Sequence, residues 1–227
     1  MKQYTAPRSA SQTAAVYDSI SRWYNWLTAA ERPMARTAVD LLAARPGEVV
    51  LDAGCGTGLN MVRLAEAVGP AGRVLGVDVS PGMLQQASRA LNKAHVSAAS
   101  TLLLSNLLSL PLGRRSVDAL LLSFTLDLLD ASQFPRAFSE MRRVLRSDGR
   151  VVVLALARRP KTPLVPLYEA AHARWPSVLD CRPLPVVSLI AANQFAVTSA
   201  QRYLLWGLPV ALVLAHPIAG PELDPIQ

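Results

Sequence analysis

The chain holds 227 residues, 51% of them hydrophobic and 17% charged, with a formal net charge of +7 from 23 Lys and Arg against 16 Asp and Glu. That composition suits one globular α/β domain with a sizeable core and excludes a disordered chain. Two distant cysteines, Cys55 and Cys181, make no disulfide framework. No apolar run reaches about 18 residues and no leader-like segment opens the chain, so a cytoplasmic protein is expected.

In chain order, residues 1–45 read as an amino-terminal helical cap. Within it, Val16-Tyr17-Asp18-Ser19-Ile20-Ser21-Arg22-Trp23-Tyr24-Asn25-Trp26 is amphipathic, and the seven-residue spacing of Tyr17 and Tyr24 puts both on one helical face. Residues 48–53 are a β-branched strand ending at Asp52-Ala53, and they empty into Gly54-Cys55-Gly56-Thr57-Gly58. Glycine at every second position lets a ligand lie against the main chain. A helix over 59–68 follows, then a strand over 73–78 with Asp78 at its carboxyl end. That acid stands about 20 residues beyond the glycines, where doubly wound nucleotide folds meet a ribose diol. A dinucleotide fingerprint would place the third glycine one residue later, which disfavours a nicotinamide oxidoreductase.

Further along, a helix over 82–93, strands over 100–104 and 117–123, a helix over 134–145 and a strand over 150–156 complete the alternation of a parallel sheet. Phe134, Phe138, Met141 and Leu145 form the buried stripe of helix 134–145, and Gly149 reads as its stop signal. Residues 46–157 are thus the expected core. After residue 157, prolines at 160, 163, 166, 176, 183 and 185 leave one helix, 164–174, inside an insertion spanning 158–194. Residues 195–204 and 208–215, joined around Trp206-Gly207, read as a hairpin before the tail.

Asp52-Ala-Gly54-Cys-Gly56-Thr-Gly58 followed by Asp78 resembles the D-x-G-x-G-x-G motif and second-strand acid of the class I S-adenosylmethionine-dependent methyltransferases. The likeness covers residues 12–157 and extends more loosely over the rest. It implies a single domain, a Rossmann-like doubly wound sheet of seven mostly parallel strands with a terminal antiparallel hairpin, and S-adenosyl-L-methionine as cofactor. By the same resemblance Asp52, Gly54, Gly56 and Gly58 form the cofactor loop, with Cys55 a small residue beside the ligand. Asp78 takes the ribose hydroxyls, with Val79 next to it. Met83, in Ser80-Pro-Gly-Met, meets the adenine. Asn106, beside Leu107, stands where the family's acid binds the adenine amino group, a role an amide oxygen can also fill. Ser123 ends the fourth strand on the cofactor side. The opening around Tyr17 is similar to that of the ubiquinone/menaquinone biosynthesis methyltransferases and bacterial phosphatidylethanolamine N-methyltransferases, in which this helix closes over the cofactor. A plain amphipathic helix packing its aromatics on the core is the alternative.

Tyr168 and His172, at i and i+4, share a face of the expected insertion helix. His172 is a candidate base of suitable acidity for neutral pH, with a structural, hydrogen-bonded His as the alternative. Asp127, just past the fourth strand, is a candidate at the ligand-binding edge or an ordinary helix-start acid. The expected acceptor is hydrophobic: a prenylated quinol ring carbon first, a phospholipid headgroup or a soluble secondary metabolite as alternatives. A non-catalytic S-adenosylmethionine-binding module is the reading from another class. The basic balance reads either as an ordinary solvated surface or as peripheral contact with an anionic membrane surface. The Lys and Arg are too dispersed for a nucleic-acid partner, and three scattered histidines give no metal set.

Overall fold

The computed structural model describes residues 10–158 and 181–218. Helices α1 (Ala10–Ile20), α2 (Tyr24–Leu27) and α3 (Arg32–Leu42) precede β1 (Val49–Ala53), α4 (Leu59–Val68), β2 (Arg73–Asp78), α5 (Pro81–Lys93), β3 (Ser100–Leu104) and β4 (Val117–Ser123). They are followed by α6 (Phe134–Val144), β5 (Leu145–Leu156), α7 (Val186–Ala192), β6 (Phe195–Leu205) and β7 (Leu208–Pro217). The seven strands run in the order β3-β2-β1-β4-β5-β7-β6. All neighbouring pairs are parallel except those involving β7, which runs antiparallel to both β5 and β6. The order reverses between β1 and β4, and such a switch point opens a crevice outside the carboxyl ends of the strands.

The central strands are apolar on both faces, as a parallel sheet sandwiched by helices requires. In β4 and β5, Leu120, Leu122, Val151 and Val153 point into the core under α6 and α7, while Leu121, Val152 and Leu154 point toward α3 and α4. In β1, Val50 lies with the α3–α4 side and Leu51 with the other. By the two-residue period Asp52 therefore aims its carboxyl toward α3 and α4.

Three local expectations are corrected. Tyr17 and Tyr24 do not share one helix: a turn over 21–23 separates α1 from α2. Gly149 does not cap α6, which ends at Val144 with Leu145 already extended. The pairing of β4 with β5 instead slips between Val117 and Ala119, so that 146–149 bulge opposite one residue. A Cβ on Gly149 would stand 3.0 Å from the carbonyl oxygens of both Arg146 and Asp118, so glycine is needed there for close packing. Finally, the proline-rich region contains a helix the sequence reading omitted, α7, with Val186 and Ile190 buried against the sheet.

Candidate active site

The glycine loop is held in place by the neighbouring strand. Gly54 and Cys55 donate their N–H groups to the Val77 carbonyl at 2.7 and 3.0 Å, and Gly56 donates to Asp78 Oδ2 at 2.9 Å. Asp78 Oδ1 accepts the Ser80 N–H at 2.9 Å. Both carboxylate oxygens thus tie the end of β2 to the loop after β1. Burial raises the Asp78 carboxyl above its ordinary range, while the N–H groups of Ser80, Gly56 and Val79 pull the other way and the Asp18 charge adds to the rise.

The loop glycines have different reasons to be glycine. Gly54 adopts φ +79°, and a Cβ on it would run into the Thr125 side chain. On Gly56 a Cβ would meet only the Tyr24 ring edge, 3.8 Å away, so its open side faces the crevice.

That crevice is a cavity with about 880 Å³ of empty space, its mouth included. It brings together Tyr17, Gly54, Gly56, Asp78, Val79, Met83, Asn106, Leu107 and Ser123, nine of the residues the sequence singled out. Met83 and Leu107 are buried. The Asn106 side-chain oxygen accepts the Leu108 N–H at 2.8 Å, which fixes the amide in its turn and leaves the oxygen a second lone pair.

Other candidates fall elsewhere. Gly58 caps α4 and presses on Ala87, where a Cβ would come within 2.9 Å of the Ala87 Cα. Cys55 lines an adjoining groove between the loop and α3 rather than the cavity itself. Burial, Asp52 and Asp78 hold its thiol well above its ordinary range, so it stays protonated and unreactive. Asp127 is not on the cavity wall: its carboxyl is fully buried and accepts the Leu156 N–H at 3.1 Å, which makes it a tether for the end of β5. Tyr168 and His172 lie outside the described residues.

Tyr24, paired with Tyr17 in the sequence, also lines the cavity, and so do five residues that escaped the sequence reading: Phe124, Thr125, Leu128, Leu129 and Gln133. The Tyr17 and Tyr24 rings meet edge to face at 5.9 Å although they sit on separate helices. Asp18 accepts from the Ser80 hydroxyl and, at 2.8 Å, from the Gly82 N–H. Asn25 Oδ1 accepts the Thr57 hydroxyl at 2.6 Å. The helical cap is therefore bonded to both cofactor-side turns, one through each of these residues. Polar residues spaced among aromatics were the available signal.

Asp52 is the electrostatic anomaly. Its side chain is wholly buried, and neither carboxylate oxygen has a hydrogen-bond partner among the described residues. Burial first, then the Asp78 charge, pushes its carboxyl up to about 7. Asp52 itself lies behind the glycine turn and is not on the cavity wall. A buried carboxyl is costly when ionised, and a nearby positive charge would relieve that cost.

A glycine turn at the switch point, an acid ending β2 and a second, buried acid thus stand together at the carboxyl edge of the sheet. The chain belongs to the class I S-adenosylmethionine-dependent methyltransferases. A family model described as a methyltransferase domain matches residues 50–149. The 2-phytyl-1,4-naphtoquinone methyltransferase of Nostoc punctiforme is 30% identical over 162 residues, 71% of this chain and 68% of that protein. The ubiquinone/menaquinone biosynthesis C-methyltransferase of Hahella chejuensis is 31% identical over 169 residues, 72% of this chain and 67% of that protein. Other relatives are matched over less of their length: 62% of the Trichormus variabilis naphtoquinone enzyme, and 35% of an uncharacterized transposon protein of Streptomyces fradiae.

Among solved structures, the geranyl diphosphate C-methyltransferase of Streptomyces coelicolor is 18% identical with a TM-score of 0.69, covering 83% of this chain and 81% of that one. The (4+2)-cyclase SpnF is 18% identical with a TM-score of 0.76, covering 96% of this chain and all of that one. These likenesses establish the fold, and a fold hosts more than one chemistry. S-adenosyl-L-methionine is the family's cofactor. The residues present fit it, because it is a nucleoside carrying positive charge and Asp52 is a buried acid with no counter-charge.

Proposed function

We propose that this chain holds S-adenosyl-L-methionine in the cavity at the carboxyl ends of β1 and β2 and serves methyl transfer to a hydrophobic small acceptor, a ring carbon of a prenylated quinol. The observation that carries the reading is the pairing of Asp78, anchored by loop N–H groups, with Asp52, buried without a partner. In this reading Asp78 takes the ribose hydroxyls, Met83 and Leu107 flank the adenine, Asn106 accepts from its amino group, and Asp52 balances the positive charge. Tyr17 and Tyr24 close the cavity from the cap. The apolar acceptor is supported by Phe124, Leu128 and Leu129 on the wall beyond Ser123 and by the quinone-type substrates in the relatives' names.

When bound, the cofactor supplies an already activated methyl group. The protein's part is then alignment and exclusion of water, which suits a wall whose described ionisable side chains are Tyr17, Tyr24 and Asp78. Asp78 is committed to the loop, so no strong base stands on the wall formed by the described residues, and the acceptor's own ring hydroxyl makes the neighbouring ring carbon electron-rich. His172, outside the described residues, is the proposed proton acceptor for that hydroxyl.

The test is to incubate the protein with methyl-labelled S-adenosylmethionine and a bacterial lipid extract, then separate quinones, phospholipids and the aqueous phase. Label in the quinone fraction is expected. Label on phospholipid moves the acceptor to a headgroup amine, and label only in the aqueous phase overturns the hydrophobic acceptor.

A further inference from the structure

Tryptophan is seldom left in water, because its large ring loses most by exposure. Here Trp23, Trp26 and Trp206 are 70%, 77% and 69% exposed. Topology brings all three to the carboxyl edge of the sheet, on the α3 side. Helix α3 runs into the start of β1, so its beginning, and Trp23 and Trp26 ahead of it, stand at the opposite edge. The β6–β7 turn reaches the same edge: Leu156, the last residue of β5, pairs with Val210, and Ala157 donates its N–H to the Pro209 carbonyl at 2.8 Å, with Trp206 beyond. Helix α3 packs on β7 along this side. Between Trp23 and Trp26, Tyr24 turns back onto the cavity wall, which places those two tryptophans on the cap segment that helps enclose the site.

Trp206 adds an independent observation. It occupies the first position of the two-residue turn with φ 50°, followed by Gly207 at φ 80°. Such turns take Asn, Asp or Gly at that position, and a bulky residue there is strained. Strain at an exposed side chain with no packing to reward it points to a use outside the fold.

The charges around the tryptophans favour one partner. Residues 20–36 hold Arg22, Arg32 and Arg36 against Glu31, and all three arginines are exposed. Arg202 is the sole Lys, Arg, Asp or Glu in 195–217. Exposed indoles among cations match an anionic bilayer, where rings settle at the headgroup level and each nearby cation adds attraction. We propose that Trp23, Trp26 and Trp206 seat the enzyme on an anionic lipid surface through the carboxyl edge of the sheet, the edge at which the cavity lies. This deepens the proposed function and rests on it for the reason a membrane is approached.

The test compares flotation of the full chain with phosphatidylglycerol-containing and pure phosphatidylcholine vesicles. The wild type is expected to float with the anionic vesicles. A triple variant, Trp23→Ser with Trp26→Ser and Trp206→Asn, is expected to lose that binding by about tenfold or more. Its affinity for S-adenosylhomocysteine should be unchanged, which shows that it is folded, and its methyl transfer to acceptor in detergent micelles should be retained. Wild type that ignores anionic vesicles, a triple variant that binds them equally, or a dimer that buries the tryptophans would overturn the proposal. Vesicle binding without label in any lipid fraction, even in micelles, would instead sink the acceptor while leaving the docking surface in place.

Discussion

Asp52 concentrates the energetic argument at the level of single residues. Its folded value of about 7 lies above the ordinary 3.8, so the folded state holds the proton more tightly than the unfolded chain. The group's effect is therefore absent at low pH, and stability falls as pH rises from about 4 to about 7. Asp52→Asn should remove that decline, leaving the variant relatively more stable at pH 8 than at pH 4, as urea titrations at the two pH values would show. The same variant should bind S-adenosylmethionine more weakly, because a neutral amide offers no counter-charge. Asp78→Ala should lower affinity for S-adenosylhomocysteine by roughly tenfold to a hundredfold, the range for hydrogen bonds to a charged group. Unchanged affinity by calorimetry would refute its ribose role. Gly54→Ala combines left-handed strain with collision against Thr125 and should cost about 2–5 kcal/mol of stability. Adding Thr125→Ser should recover part of that loss in a double-mutant cycle, and strict additivity would contradict the packing explanation.

The elements were legible to different degrees, for physical reasons. The β-branched run of β1 and the Arg73–Asp78 run were readable because strands buried on both faces must be continuously apolar. The glycine loop and Asp78 were readable because a tight turn against a ligand admits few residue types. The family resemblance, with the spacing of the glycines and Asp78, picked out nine residues that share one cavity wall, but neither could separate Gly58, which packs on Ala87, from Gly56, which faces open space. Tyr17 and Tyr24 came together by tertiary contact across a turn, which helical periodicity cannot foresee. Gly149 served a strand bulge that a helix-stop rule mistakes for its own signal, and α7 escaped because prolines crowd its approach. The cap also carries a prediction. Asp18 and Asn25 bond it to the turns after β2 and β1, so Asp18→Ala and Asn25→Ala should loosen α1 and α2 more than the core. Hydrogen exchange should accelerate at residues 10–28, with cofactor affinity reduced by about threefold to tenfold, in line with loss of one hydrogen bond each. Acceleration spread evenly through β1, β4 and β5 would contradict a local clamp.

At the scale of the whole molecule, the sheet's switch point, the cap and the exposed tryptophans all lie at one edge, opposite the Arg150–Glu48 pair that braces the amino ends of the strands. No helix among the described residues is long and apolar enough to cross a membrane. The acceptor side was the least legible from sequence: its candidates Tyr168 and His172 fall in 159–180, outside the described residues, while Asp127 proved to be a buried tether. The measurement that bears most directly on the whole reading is single-turnover transfer from methyl-labelled S-adenosylmethionine to a demethylated prenylated quinol in micelles, for wild type and Asp78→Ala. Label appearing on the quinol ring carbon with wild type, and sharply reduced with Asp78→Ala at subsaturating cofactor, is the expected result. Tight cofactor binding by wild type with no label on the quinol would contradict it.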